Sequence, residues 1–161
     1  MLPKTIKNWN AFVDGVGLAG LAEEVATPVL ERVTEAFRGA GMLGEVELDL
    51  GVEAMEIEFT LAEFNTGVLK QFGIPDAAGV GVRLLAAGKA DDADSAVDAI
   101  EISVRGRFTK MDSGNLKAGD MAKMKCKMPL TYFKYTVNGD VIIKIDLING
   151  MQLGTVDMTI T

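Results

Sequence analysis

The sequence predicts a mainly β domain, barrel-like or sandwich-like, with one short helix. Residues Glu45 to Leu61 alternate apolar and polar side chains over a strand's full length and beyond, the period that puts neighbours on opposite sheet faces. Ile100, Ile102, Val104 and Phe108 alternate with Glu101, Ser103, Arg105 and Arg107, as in a half-buried antiparallel strand. Asn138-Gly139 then separates two further alternating runs, and because both residues tolerate positive φ this is a strong hairpin signal.

In chain order, Gly15-Val16-Gly17-Leu18-Ala19-Gly20 follows a possible first strand and matches G-x-G-x-x-G. A dinucleotide loop needs a long helix at its third glycine and alternating helices downstream. Pro28 interrupts the next stretch and the remainder is strand-rich, so the glycines read as a bend. Thr27 to Gly39 fits a helix through Pro28, Leu30, Val33, Phe37 and Gly39, and equally a strand through Val29, Val33 and Phe37. Between Glu45 and Leu61 the apolar parity changes from Val46, Leu48, Leu50 and Val52 to Met55, Ile57, Phe59 and Leu61. That swap requires a bulge or bend, placed at Gly51, with the two halves burying opposite faces. Asn65 or Thr66 caps a short helix carrying Val68, Leu69 and Phe72, ended by Gly73 and Pro75.

Asp91-Asp92-Ala93-Asp94-Ser95 reads as an exposed connection, since it lacks the glycine turn and closing Glu of a calcium loop. From Lys123, the lysines 123, 125 and 127 alternate with Met124, Cys126 and Met128, and parity then changes to Phe133, Tyr135 and Val137. A second bent strand is expected, with Pro129 near its bend. Val141, Ile143, Ile145 and Leu147 follow the first Asn-Gly turn, and Asn149-Gly150 repeats the device before a last strand.

Composition removes most chemistry. The 161 residues, 48% hydrophobic, fit one domain spanning 1–161 with a full core. There is no histidine and one cysteine, Cys126, so internal disulfides, multi-Cys or His zinc sites and imidazole triads are excluded. Cys126 reads as a small buried hydrophobe, and Met55, Met124 and Met128 as core fillers. No catalytic residue, cofactor or metal site is expected. A net charge of -7 without a basic, aromatic-studded stripe argues against tight nucleic-acid binding. No apolar run reaches membrane-span length, and Asn8, Asn10 and Asp14 interrupt any signal-like segment after Lys4 and Lys7, so folding in the cytoplasm is expected.

Charge is segregated along the chain. Glu45, Glu47, Asp49, Glu53, Glu56, Glu58 and Glu63 occupy a stretch without a single Lys or Arg, whereas eight basic residues between Arg105 and Lys134 face only Asp112 and Asp120. These segments either pair across the molecule's own sheets or meet between neighbouring subunits, fixing register.

The residues also resemble a family. Phe12-Val13-Asp14-Gly15, Pro28, Leu30, Thr34-Glu35, Arg38-Gly39-Ala40-Gly41-Met42, Val46, Asp49, Gly51 and Glu53-Ala54-Met55-Glu56, followed by Tyr132-Phe133-Lys134, Asn138-Gly139, Ile145-Asp146 and Asn149-Gly150, look like the major tail tube protein of contractile-tailed bacteriophages and R-type pyocins. The likeness covers nearly the whole chain and is least from about 77 to 95. It implies a tail-tube fold of two packed antiparallel sheets with one helix, a structural and not an enzymatic role, and hexameric rings stacked into a hollow tube inside a contractile sheath. It also favours strand over helix for Val29 to Phe37.

The partners implied are further copies of the chain, the tail sheath protein, a tape measure protein in the lumen, baseplate and tail terminator proteins, and DNA passing through unbound, with no membrane. The location implied is the virion tail, assembled in the bacterial host cytoplasm. The stretch from Arg38 to Gly44 corresponds to a loop reaching a neighbouring ring, with Arg38, Met42 and Leu43 as its contact residues. Glu45, Glu47 and Asp49 are expected at the lumen or at a subunit interface, since a DNA conduit is best lined by few cations. Alternatives are a monomeric or dimeric β-barrel binding a small apolar ligand, a tube subunit of a related injection or secretion system, and, remotely, a nucleotide-dependent enzyme using Gly15 to Gly20.

Overall fold

The structure, a computed structural model, describes residues 2–13, 16–17, 22–76, 79–91, 96–119, 123–148 and 151–153. Its strands are β1 (Lys4–Val13), β2 (Val16–Gly17), β3 (Ala22–Ala26), β4 (Arg32–Phe37), β5 (Val46–Val52), β6 (Met55–Leu61), β7 (Val80–Ala90), β8 (Asp98–Gly106), β9 (Lys110–Asp112), β10 (Met124–Val137), β11 (Asp140–Asp146) and β12 (Met151–Leu153). Helix α1 spans Thr66–Lys70 and runs into a 3-10 turn at Gln71–Gly73. Ten strands join one antiparallel sheet, and β4 and β5 form a separate ribbon.

Strand β10 organises the large sheet because it belongs to two layers. Its first half, Met124 to Leu130, lies between β6 and β9, and its second half, Tyr132 to Val137, between β8 and β11. The change of partners coincides with a register shift between Leu130 and Tyr132, one residue beyond Pro129. The extra residue turns the buried set from Met124, Cys126, Met128 and Leu130 to Phe133, as a bulge must. The expected bend is therefore present. One layer contains β3, β6, the start of β10 and β9; the other contains β2, β1, β7, β8, the end of β10, β11 and β12.

The core lies between these layers. Met55, Ile57, Phe59 and Leu61 of β6 stand opposite Leu130, Met128, Cys126 and Met124 of β10, and all eight are buried. They meet Ala11 and Val13 of β1, Val80, Val82 and Leu84 of β7, and Val104 of β8 in one cluster. Phe59 packs edge-on against Phe108, ring centroids 5.8 Å apart, the geometry favoured by the ring quadrupoles. Burial pushes the Cys126 thiol up to about 12, so it stays a protonated core residue.

Short-range signals behave as their chemistry requires. Asn138 and Gly139 have φ of 52° and 86° and join Val137 to Asp140 in the two-residue turn. The Asn65 side chain accepts from the Val68 N–H at 3.1 Å and caps α1. Only Val68 of that helix is buried; Leu69 and Phe72 remain about half exposed, so the expected apolar stripe is not covered by the sheet. Val29 to Phe37 contains strand and no helix, in keeping with the resemblance. Val16–Gly17 doubles back antiparallel on β1, which is not the strand-to-helix passage of a nucleotide loop; Gly15 and residues 18–20 lie outside the described residues. The same holds for Asp92, Asp94 and Asn149-Gly150, whereas Asp91 pairs with Lys7 at 2.5 Å.

One correction concerns Glu45 to Leu61. It forms not one strand with oppositely buried halves but two strands in different sheets, broken at Glu53-Ala54. The bend near Gly51 is real: that residue has φ of 132°, and the register slips between Val33 and Thr34, leaving Leu50 as the extra residue. The first half is exposed on both faces up to Gly51, because among the described residues β4 is its only strand partner.

At Gly106 an added Cβ would lie 2.1 Å from the Pro129 carbonyl oxygen, where the backbone of β10 cannot yield without breaking its pairing. Gly106→Ala is expected to lower stability by about 1–3 kcal/mol, the range for overpacking, measured by urea denaturation.

Candidate assembly interface

The ribbon β4–β5 grows out of the core sheet. Strands β3 and β6 pair with each other, the chain leaves them through Thr27 to Glu31 and returns through Glu53-Ala54, and the Glu53 N–H donates to the Glu31 carbonyl at 2.8 Å, closing the gap between the two ladders. Six to seven residues per arm at about 3.3 Å each carry the tip roughly 20 Å from this base.

Alternation gives the ribbon two unlike faces. Phe37 pairs with Val46 and Glu35 with Leu48, and these share a face; Thr34 pairs with Asp49 and Ala36 with Glu47 on the other. Phe37 is 51%, Val46 49%, Leu48 44% and Leu50 59% exposed. A greasy face is thus open to water. On the opposite face the Asp49 carboxylate accepts from the Gly51 N–H at 2.9 Å and pairs with Arg32. The Gly51 hydrogen bond, opposed by desolvation and aided by the Arg32 guanidinium, holds the Asp49 carboxyl below its usual range. Among the described residues no ion pair involves Glu45 or Glu47, and both are exposed.

At the tip, the Met42 N–H donates to the Gly39 carbonyl at 3.2 Å, and Gly41 takes φ of 84°. Met42 turns inward, its sulfur 3.0 Å from the Gly39 nitrogen, and the Arg38 Nε donates to the Met42 carbonyl at 3.4 Å. Leu43 points into solvent, fully exposed. Of the three expected contact residues, Arg38 and Met42 brace the turn and Leu43 is presented outward.

The segregated charges divide between the two readings. Glu56 of β6 pairs with Lys127 of β10 at 3.2 Å, so the second half of the acidic stretch is neutralised partly within the molecule, while Lys123 of the basic stretch pairs with Glu23 of β3 at 3.2 Å. In the first half, among the described residues, the one ion pair is Arg32–Asp49.

Sequence reasoning missed a second open surface. Where the floor sheet of β1, β7, β8 and β10 extends past the opposing layer, Ile6, Trp9, Leu84, Ile100, Ile102 and Tyr135 line an open groove of about 490 Å³, with Val25 of β3 on its far side. Alternation marked Ile100 and Ile102 as apolar; nothing local tells that their cover stops short.

A family model described as phage tail tube protein FII matches residues 3–159 of the chain. The chain belongs to this family. Among curated members, the tail tube protein of Escherichia phage P2 is 33% identical over 154 residues, covering 94% of this chain and 89% of the relative. The major tail tube protein of Serratia phage KSP20 is 28% identical over 148 residues, covering 92% and 85%. The tube fold recurs in solved structures of an extracellular contractile injection system. A chain from the PVC sheath/tube terminator aligns with a TM-score of 0.62 at 12% identity, covering 82% of this chain and 95% of its own. One from the PVC sheath-tube complex aligns at 0.59 and 10%, covering 80% and 88%. This tail tube family member is a structural protein of the virion tail, not an enzyme.

A carboxyl held below its ordinary value stabilises the folded form at any pH above that value, and the contribution disappears as pH falls through the lower folded one. Asp49, ordinarily titrating near 3.8, should therefore brace the ribbon at neutral pH and release it only in acid below that point. Amide exchange at Gly51 in the dispersed subunit should accelerate there, and Asp49→Asn should abolish the pH step.

Proposed function

We propose that the chain closes into hexameric rings that stack into the hollow tube of a contractile tail and serve as the conduit for DNA. The observation that carries this reading is the ribbon β4–β5, extended, two-faced and lacking a second layer. An isolated two-stranded hairpin is marginal in water, and contiguous apolar surface on a projecting element marks an interface. Covering the exposed halves of Phe37, Val46, Leu48 and Leu50 contributes roughly 1 kcal/mol each, taking half of the usual full-burial value. Tail tube relatives in two phages and the same fold in a sheath-tube complex support it.

In this assembly the Arg38 to Gly44 tip reaches the adjacent ring, where Leu43 buries its side chain while Arg38 and Met42 hold the turn in shape. Glu45, Glu47 and Asp49 face the lumen, because acidic walls repel phosphates and let DNA slide. The tube's outer wall meets a tail sheath protein, the lumen holds a tape measure protein before ejection, and baseplate and tail terminator proteins cap the ends. Assembly takes place in the host cytoplasm. The competing ligand-binding barrel predicts a monodisperse protein with a titratable apolar site.

Negative-stain microscopy of purified protein across concentration tests the proposal: rings and tubes are expected, and a particle that stays monomeric throughout would refute it. The Met42→Asp, Leu43→Asp variant should fold with an unchanged core yet fail to form long tubes; full-length tubes from this variant would remove the tip from the inter-ring contact. A reconstruction with Glu45, Glu47 and Asp49 all on the outer wall would dispose of the lumen assignment.

A further inference from the structure

We infer that the open groove on the floor sheet is the receptor for the apolar face of the β4–β5 ribbon of a second copy, so that each sandwich is completed by its neighbour. This rests on the tube reading and names the surface that the ribbon grips. The floor of β1, β7, β8 and β10 is apolar on its inner face from Val13, Val82 and Val104 out to Ile6 and Ile100, beyond which Lys4 and Asp98 pair. Val13, Val82, Val104 and Phe133 are covered by the second layer and are buried to 3% exposure or less. Beyond that layer, Ile6 remains 54% exposed and Trp9 partly exposed on the same face.

A missing layer must be sheet-like, apolar on one side, polar on the other, and about 10 Å thick. The ribbon meets this description apart from Glu35, which shares the apolar face. Phe37, Val46 and Leu48 would lie on the groove with Glu35 among them, and the face carrying Glu47 and Asp49 would point away from it, which matches a lumen position for those two. At the rim, Glu23, paired with Lys123, and exposed Glu24 of β3 line the groove, and the ribbon's Arg38 at the start of its tip is the cation that could meet Glu24. Among the described residues the ribbon's strands pair only with each other, and Ile6 of the groove and Phe37, Val46 and Leu48 of the ribbon remain exposed.

Two features of the chain make the test clean. Trp9 is the single tryptophan and lines the groove, and Cys126 is fully buried, so added thiols are the only reactive ones. On assembly of the unmodified protein, Trp9 emission should shift to the blue and lose its quenching by acrylamide. Leu48→Cys and Ile6→Cys, both at exposed positions, are made in separate chains, mixed, assembled and treated with a short bis-maleimide. A mixed dimer is expected from assemblies and not from dispersed subunits. Rings or tubes in which Trp9 stays as quenchable as before and no mixed dimer forms would overturn the groove assignment while leaving the tube reading intact. If no rings or tubes form under any condition, both fall. A chain carrying both substitutions that links within itself as a monomer would also overturn the inference, because the ribbon would then cover its own groove.

Discussion

A two-stranded ribbon can satisfy the hydrogen bonds on one edge of each strand, but it cannot supply a second layer for its own apolar face. In this chain the constraint falls on β4–β5, which is drawn out of the β3–β6 ladder and leaves Phe37, Val46, Leu48 and Leu50 half in water. The rest of the molecule is arranged around that debt. The core sheet is rigidly fixed by β10, shared by both layers, so the ribbon projects from a firm base. The floor sheet in turn extends beyond its own cover. A protein that worked alone would be expected to close both surfaces.

Magnitudes decide which contacts hold such an assembly. Exposed ion pairs contribute about 0–1 kcal/mol each, and salt weakens them further. The pairs Lys127–Glu56, Lys123–Glu23 and Arg32–Asp49 are all of this exposed kind. Apolar burial along the ribbon contributes as much per side chain and is not screened by salt. Charge segregation is therefore better suited to choosing register and orientation between copies than to binding them, and in the proposed tube the carboxylates left on β5 would form a wall past which a polyanion moves.

Much of the fold could be read from local pattern. Asn138-Gly139, the Asn65 cap, the alternation in β6 and β8 and the parity change in β10 depend on near neighbours in sequence, and each is found where its residues place it. The break at Glu53-Ala54 was not legible, because alternation carries straight through it and only the choice of partner strand separates β5 from β6. The exposure of Val46, Leu48 and Leu50 was hidden for a related reason: an apolar face looks the same whether its cover comes from its own chain or another. The groove around Trp9 escaped notice because Ile6, Ile100 and Tyr135 come from distant strands and meet only in the folded sheet. Of the tip residues, Leu43 behaves as its type suggests, while Met42 folds back to Gly39 through a contact that no periodicity foretells.

The central claim is that the ribbon acquires its second layer from an identical subunit. Amide hydrogen exchange across Arg32–Phe37 and Val46–Val52, compared between dispersed subunits and assembled tubes, tests it most directly. The account predicts rapid exchange in the dispersed protein and strong protection on assembly, with the core strands β6 and β10 slow in both. A ribbon already as protected as β6 in the free subunit, or still unprotected in the finished tube, would contradict it.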